Sequence, residues 1–168
     1  PGTIAGIFEV HKKYGSLPMN EIVEPVIALA EKGVIITKFQ AESLNNNREF
    51  FTKINGRNSL FSKVYKENDT IKYTALAATL KRIAKNGRDE FYKGETAQKL
   101  VDFLAKKGGI ATMEDLNSYK AKWRTPITFQ YKNLKITSMS PPSSGGICLN
   151  QIMKMIEPFN LSQMGHNS

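Results

Sequence analysis

Apolar residues recur at helical spacing along most of this chain, and the spacing changes to alternation only after residue 126. An apolar residue at every third or fourth position places those side chains on one face of a helix, whereas alternation is typical of a half-buried strand. The helical spacing predicts helices over residues 3–14, 20–33, 38–51, 73–85 and 95–107, another beginning at 112, and a last one over 147–156.

Individual residues mark the ends and the inner faces of these helices. Thr3 and Thr112 stand where a hydroxyl can cap a helix, and Gly15, Gly33 and Gly87 follow helical runs as stop signals. The apolar spacing predicts an inward-facing set in three of the helices: Ile22, Val23, Val26, Ile27 and Ala30; Leu76, Leu80 and Ile83; and Leu100, Phe103 and Leu104.

A β-hairpin is predicted near the end of the chain. Residues 127–131 and 134–136 alternate between apolar and polar, and Asn133 between them tolerates the left-handed backbone of a tight turn. We expect a short extended link over residues 34–37 and a loop over 55–70, with one extended piece near 61–65. The predicted fold class is α+β: a mostly helical chain with a C-terminal β-hairpin, with residues 1–168 forming a single region.

The charge of the chain is strongly positive, at a formal +9 with 24 basic residues. This composition raises the possibility of a basic helical module that binds nucleic acid or acidic surfaces. The basic residues are dispersed, however, and their densest groups fall on predicted helices, where solvated faces and helix C-termini explain them. Because no nucleic-acid recognition signature accompanies them, we expect no nucleic-acid partner. The sequence also has no run of about 18 apolar residues, so it predicts no membrane span.

Candidate catalytic residues are few and scattered. His11 and His166 lack acidic or cysteine neighbours at ligand spacing, and Cys148, the single cysteine, lies in the apolar pattern of the last helix, which predicts a buried structural thiol. The acidic pairs 89–90 and 114–115 fit helix N-termini better than a two-carboxylate site. The sequence therefore predicts no catalytic, cofactor-binding or metal-binding residue in this chain.

The most specific local feature is the run SPPSSGG at residues 140–146, which we call the elbow. Its prolines fix the backbone, and its glycines let backbone approach backbone or ligand closely. It leads directly into the N-terminus of the last predicted helix, whose free N–H groups favour an anion or an oxygen. The pattern is typical of a functional loop, and we expect either a scaffold or a carboxylate contact by Ser143 or Ser144.

Five motifs in order along the chain resemble one known family. They occupy residues 1–6 (PGTIAG), 86–94 (NGRDEFYKG), 108–110 with 112–116 (GGI and TMEDL), 119–121 with 124–127 (YKA and RTPI) and 141–146 (PPSSGG). Together they resemble the large subunit of γ-glutamyltranspeptidase, also called glutathione hydrolase, and the resemblance is weakest over residues 45–70. Arg88 and Ser140 stand where that family often has proline.

The resemblance implies an N-terminal-nucleophile hydrolase with an αββα sandwich. In that family a proenzyme cuts itself into two subunits, and the first threonine of the small subunit attacks the γ-glutamyl carbonyl, with its own amino group as base. The acyl group then passes to water or to an amino-acid or peptide acceptor. The implied partners are the small subunit of the same precursor and glutathione or other γ-glutamyl substrates, with no cofactor. The implied location is periplasmic or secreted.

The resemblance also implies that this chain is an internal segment, inactive by itself. The nucleophilic threonine and the substrate-binding arginine match no residue present here, and no such role falls on Arg48, Arg57, Arg82, Arg88 or Arg124. The 89–92 segment is expected to form a turn that docks its aromatic rings on neighbouring helices. A cephalosporin-acylase-like amidase of the same superfamily and the basic binding module remain the alternatives.

Overall fold

The computed structural model describes residues 1–166 and divides the chain into two units. The first unit, Pro1–Ala121, contains the helices α1 Thr3–Tyr14, α2 Met19–Lys32, α3 Lys38–Asn46, α4 Arg48–Asn55, α5 Thr74–Asn86, α6 Arg88–Tyr92, α7 Glu95–Lys106 and α8 Met113–Ser118. It also holds the two-residue strands β1 Val34–Ile35 and β2 Thr70–Ile71. The second unit begins at Lys122 and contains β3 Ile127–Tyr131, β4 Leu134–Ser138 and α9 Gly145–Ile156.

Side-chain caps begin two of the helices in the first unit. Thr37 caps α3 in a capping box with Gln40, and Thr112 caps α8 in a capping box with Asp115, as expected for Thr112. The expectation for Thr3 is wrong, because Thr3 is the first residue of α1 and Gly2 precedes it without a side-chain hydrogen bond. Short polar caps satisfy backbone N–H groups that a helix start leaves unpaired.

The pair α2 and α5 packs through small residues. Ile27, Ala30 and Ala77 are buried together, and Val23 and Leu80 pack against them. Alanine at the contact allows the two helix backbones to approach closely, so the alanines set which face turns inward. The neighbouring positions Ile22, Val26 and Leu76 and, on α7, Phe103 are exposed, so the predicted inner faces are wrong at these four positions.

A small core forms where the sequence predicts mainly loop. Strands β1 and β2 pair antiparallel, with Val34 opposite Ile71, and the buried side chains of Ile36, Ala41, Tyr65 and Ile71 lie together beside them. The side chain of Asn45 holds the backbone of Tyr65 from both sides, accepting from its N–H at 3.0 Å and donating to its carbonyl at 2.8 Å. These long-range contacts give the segment order that local pattern does not reveal.

Two local predictions in this region need correction. The single helix expected over residues 38–51 is interrupted at Asn47, whose backbone leaves the helical geometry and separates α3 from α4. The piece near residues 61–65 is not extended at its start, because Leu60–Ser62 forms a 3-10 turn capped by the hydroxyl of Ser59. Polar side chains that bond to nearby backbone compete with regular structure in this way.

A third core cluster gathers around Tyr92 in α6. The buried residues Ala5, Tyr92, Ala97 and Leu116 bring α1, α6, α7 and α8 together. The hydroxyl of Tyr92 accepts a hydrogen bond from the N–H of Ala5 at 3.0 Å and donates one to the carbonyl of Pro1 at 2.7 Å. The expected docking of the 89–92 aromatics is therefore confirmed, although the segment is a short helix.

The second unit confirms the predicted hairpin and last helix. Strands β3 and β4 pair antiparallel from Ile127 opposite Ser138 to Tyr131 opposite Leu134, and α9 packs on both. The left-handed residue of the turn is Lys132, at φ 49°, and not the expected Asn133. The N–H of Lys132 donates to the carboxylate of Glu157 at 3.1 Å, which holds the turn against the end of α9. The expectation of a single region over residues 1–168 stays a prediction.

Replacing Tyr92 by phenylalanine is expected to destabilise the first unit by about 1–3 kcal/mol, because the buried N–H of Ala5 loses its acceptor. The change removes only the hydroxyl, so the ring packing stays. Denaturant unfolding, monitored by far-ultraviolet circular dichroism, measures the loss of stability. Tyr73→Phe is the control, since the Tyr73 hydroxyl makes no hydrogen bond within residues 1–166. Equal stability of both variants would contradict the account of Tyr92.

Candidate functional site

The two acidic pairs lie in the first turns of helices, as expected. Asp89 and Glu90 begin α6, and Glu114 and Asp115 begin α8. The two acidic side chains of α6 lie in different environments: Asp89 is exposed and accepts a hydrogen bond from Lys93, whereas Glu90 is buried. The hydrogen bond from Lys93 lowers the pKa of Asp89. Neither pair brings two carboxylates to one site.

Glu90 is the most deeply buried charged residue of the described chain, with 5% of its surface exposed. Its Oε1 accepts from Nε of Arg82 at 3.0 Å and from the hydroxyl and N–H of Thr96 at 2.9 and 3.2 Å. Its Oε2 accepts from the side-chain amide of Asn86 at 3.2 Å. We call Glu90, Arg82, Asn86 and Thr96 the carboxylate clamp. It joins α5, α6 and α7.

The clamp keeps Glu90 ionised. Burial is the largest influence and raises the pKa of Glu90, but hydrogen bonds from Thr96, Asn86 and Arg82 outweigh it, and the pKa lies below the usual 4.5. A carboxylate held in this way has no proton to give at neutral pH, and both of its oxygens already accept hydrogen bonds from the protein. The stability that it contributes is present above its ordinary pKa and is lost as the pH falls through the lowered value. We therefore assign Glu90 a structural role.

Glycine is required beside the clamp. A Cβ at Gly94 would lie 2.5 Å from Oε2 of Glu90, so any larger residue would push the carboxylate out of place. Gly94 also immediately precedes α7, whose first turn carries Thr96. The motif at residues 86–94 thus contains two clamp residues, Asn86 and Glu90, and the glycine that leaves room for the Glu90 carboxylate.

Arg88 and two tyrosines form a second polar contact at α6. The guanidinium of Arg88 lies 4.2 Å from the ring centre of Tyr92, which stacks on Tyr119 at 5.7 Å with the planes 5° apart. The same guanidinium donates to the carbonyl of Tyr119 and pairs with Asp89 at 3.2 Å. A cation over an aromatic face is attracted by the ring quadrupole. Arg88 therefore ties α6 to the end of α8.

The basic group at residues 81–88 is consequently more than a solvated face. Arg82 belongs to the clamp, Arg88 covers Tyr92, and Lys81 pairs with Glu31 of α2 at 2.6 Å. The interpretation of these cations as solvent-facing is wrong for Arg82 and Arg88, whose side chains are each 25% exposed. Their aliphatic stems and planar heads suit buried ion pairs and stacking.

The elbow is a tight turn in the second unit. Pro141 and Pro142 are joined by a cis peptide, and the N–H of Ser143 donates to the carbonyl of Ser140 at 3.2 Å. The hydroxyl of Ser143 accepts from the N–H of Gly145 at 3.3 Å, at the first residue of α9. Ser144 precedes the helix without a side-chain hydrogen bond. One of the two candidate hydroxyls thus serves the start of α9.

Gly146 explains why the elbow ends in glycine. A Cβ there would collide with the carbonyl oxygen of Met139 and lie 3.3 Å from the side chain of Ile127. The same addition at Gly145 would meet only the hydroxyl of Ser143, at an ordinary 3.5 Å. The second glycine therefore lets α9 lie directly against the hairpin, and the first does not serve this purpose.

A groove of about 760 Å³ lies beside the elbow, within the second unit. Two cations, several hydroxyls and apolar side chains surround it, and no carboxylate does: Lys122, Arg124, Pro126, Thr137, Ser138, Met139, Ser140, Pro142 and Ser143. Its chemistry suits a small ligand with a negative group and an apolar part.

The two histidines and the cysteine make no site. Nε2 of His11 lies 2.7 Å from the carbonyl of Leu17, so His11 fastens the connection between α1 and α2. His166 is exposed. Cys148 is also exposed, and the prediction of a buried thiol is wrong, because α9 turns the side with Gly146 toward the hairpin. Within residues 1–166 no three histidine, cysteine or acidic side chains gather as a metal site.

Sequence reasoning missed the carboxylate clamp and the groove. The clamp residues are spread over 15 positions and become neighbours only when α5, α6 and α7 pack, although Gly87 and Gly94 on either side of Glu90 mark a tightly constrained segment. The groove residues come from two separate stretches, 122–126 and 137–143. Only the elbow stood out in the sequence.

Comparison with known proteins gives matches over the whole chain. The family model described as Gamma-glutamyltranspeptidase matches residues 1–168. The glutathione hydrolase proenzyme of Escherichia coli (strain K12) is 40% identical over 172 aligned positions, which cover 100% of this chain and 30% of that protein. The crystal structure of Helicobacter pylori gamma-glutamyltranspeptidase matches with a TM-score of 0.94 and 41% identity, covering 100% of this chain and 49% of that one.

A weaker structural match is the cephalosporin acylase from Bacillus halodurans. Its TM-score is 0.78 at 25% identity, covering 90% of this chain and 30% of that one. These matches confirm the predicted fold class, a mostly helical part of the N-terminal-nucleophile hydrolase fold that ends in a β-hairpin and a helix. The chain spans about 30% of the length of the curated relative described above.

Gly146→Ala is expected to destabilise the second unit by about 1–3 kcal/mol, because the added methyl group meets a backbone carbonyl that cannot move without disturbing β4. Gly145→Ala is the matched control one residue earlier, and we expect little change or a slight gain from better helix propensity. Thermal unfolding of both variants measures the difference. Two equal melting temperatures would show that α9 does not need glycine at the hairpin.

Proposed function

This chain belongs to the gamma-glutamyltranspeptidase family, and from that membership we propose that its parent protein cleaves γ-glutamyl amide bonds. The proposed substrates are glutathione and its conjugates, and the γ-glutamyl group passes to water or to an amino-acid or peptide acceptor. The observation that carries the proposal is the match of the family model over residues 1–168. The five motifs that resemble this family lie within the matched residues.

The proposed chemistry uses a threonine that this chain does not supply. An N-terminal threonine can attack a carbonyl because its own free amino group takes the hydroxyl proton. The family resemblance places that threonine at the start of the small subunit, and no threonine of this chain matches it. We therefore propose that this chain is a framework of the enzyme and is inactive alone.

The proposed partner is the remainder of the same precursor, cut into a large and a small subunit. The word proenzyme in the name of the Escherichia coli relative supports this proposal. Large apolar side chains on the surface of this chain also support it, because a monomer rarely exposes so many. Those more than half exposed include Val10, Leu17, Leu29, Phe39, Phe50, Trp123 and Met155.

The proposed location is the periplasm or the exterior of the cell, on the basis of the family alone. Within residues 1–166, no helix has both the length and the apolar character needed to cross a bilayer.

An amidase like the cephalosporin acylases is the second candidate from the same fold. It takes a different acyl group with the same self-cleavage. The lower identity to the acylase favours the γ-glutamyl enzyme.

Expression of the complete reading frame tests the proposal. We expect the product to split into two chains, the second of which begins with threonine, and the split protein to release the dye from a γ-glutamyl anilide. Intact mass, N-terminal sequencing and an absorbance assay measure these outcomes. Replacement of that threonine by alanine is the control and should abolish both.

Three results would count against the proposal in different ways. A product that stays in one piece under folding conditions would contradict self-processing. A product that splits but cleaves amides of another acyl group and leaves the γ-glutamyl anilide intact would favour the acylase. Tight, salt-sensitive binding to nucleic acid by an uncut product would favour the basic binding module.

A further inference from the structure

We propose that the groove beside the elbow binds the carboxylate of the peptide that leaves, or of the amino acid or peptide that accepts, during γ-glutamyl transfer. This inference rests on the proposed function and adds to it the residues that recognise the second substrate. Lys122 and Arg124 supply the charge, and the elbow supplies hydroxyls and an apolar wall.

The two cations of the groove are unpaired. Neither Lys122 nor Arg124 has an ion-pair or hydrogen-bond partner within residues 1–166, and no acidic residue lines the groove. Two arginines of the first unit, Arg82 and Arg88, are instead committed to carboxylates and to an aromatic ring. Two free cations beside one cavity create a positive field that an anion relieves. A guanidinium can also hold a carboxylate through two parallel hydrogen bonds.

Hydroxyls near the cations are available for a ligand. Ser138 and Ser140 are half-buried in the groove wall, and their hydroxyls make no hydrogen bond within the described residues 1–166. Ser143 also lines the groove, and its hydroxyl, which accepts from Gly145, keeps its own proton to donate. The end of β4 and the elbow therefore supply three hydroxyl donors to the groove lining, and carboxylate oxygens are acceptors that such donors suit.

The size and the apolar part of the groove favour a small peptide over larger anions. Pro126, Met139 and Pro142 line it, and Met139 is 70% exposed there. A volume of about 760 Å³ holds an amino acid or a dipeptide, whereas a nucleic-acid strand needs a longer basic track. Each amino acid or peptide acceptor of the proposed reaction carries a C-terminal carboxylate, and so does the peptide released from glutathione.

The test uses the matured enzyme from the complete reading frame. Transfer of the γ-glutamyl group from an anilide donor is measured with glycylglycine and with glycylglycinamide, which differ only in the terminal carboxylate. We expect the wild-type enzyme to prefer the acid, and Arg124→Ala to lower this preference about tenfold through KM for the acid. Arg124→Lys should restore part of it, because the charge remains while the paired hydrogen bonds are lost. Lys135→Ala, an exposed cation on β4 outside the groove, is the matched control.

The outcomes separate this inference from the proposed function. A wild-type enzyme that does not cleave the anilide would overturn the proposed function. An active enzyme whose acid-to-amide preference is the same in wild type, Arg124→Ala and Lys122→Ala would overturn the groove alone. If Arg124→Ala fails to mature, the acid-to-amide preference of Lys122→Ala and Arg124→Lys is compared with that of the wild type instead. An equal loss in Lys135→Ala would show a general charge effect and would also overturn the inference.

Discussion

The first unit depends on one buried charge that must stay paired. Glu90 can be buried only because Arg82, Asn86 and Thr96 satisfy both of its oxygens, and those three residues come from the helices on either side of it. Removing one partner of such a pair leaves an uncompensated charge in a poorly solvated place, which is costly. The clamp thus fixes the order and spacing of α5, α6 and α7. Short α6 could not hold its place by local propensity, because isolated helices of this length are unstable.

The position of α6 then determines several further contacts. It carries Tyr92, whose hydroxyl accepts a hydrogen bond from the first turn of α1. It also carries Arg88, whose guanidinium donates to the carbonyl of Tyr119 at the end of α8. In the second unit, the corresponding constraint is steric: Gly146 lets α9 lie on the hairpin, and the elbow between them walls the groove. Each unit therefore relies on one tightly constrained feature, the clamp in the first and Gly146 in the second, to place residues that lie far apart in sequence.

The sequence predicted what local pattern controls. Helices with strong apolar spacing, the Thr112 cap and the hairpin are confirmed, because their periodicity and capping residues are local properties. The predictions from sequence were wrong where long-range packing determines the structure. Alanines and not larger residues form the α2–α5 contact, β2 forms only by pairing with β1, and Cys148 is exposed. The clamp was hidden because Arg82 and Glu90 resemble ordinary surface charges on helices. The elbow was visible because prolines and glycines restrict backbone wherever they stand.

The ionisation of Glu90 is the most direct test of this account. Protein labelled with ¹³C at the side-chain carboxyl of glutamate gives one signal for each glutamate, and the Glu90 signal is the one missing from Glu90→Gln. We expect that signal to titrate below the usual 4.5, and unfolding free energy to fall over the same pH range in wild type but less steeply in the variant. A Glu90 pKa above 4.5 would show that burial outweighs the hydrogen bonds, and would contradict the clamp as the constraint on which the first unit depends.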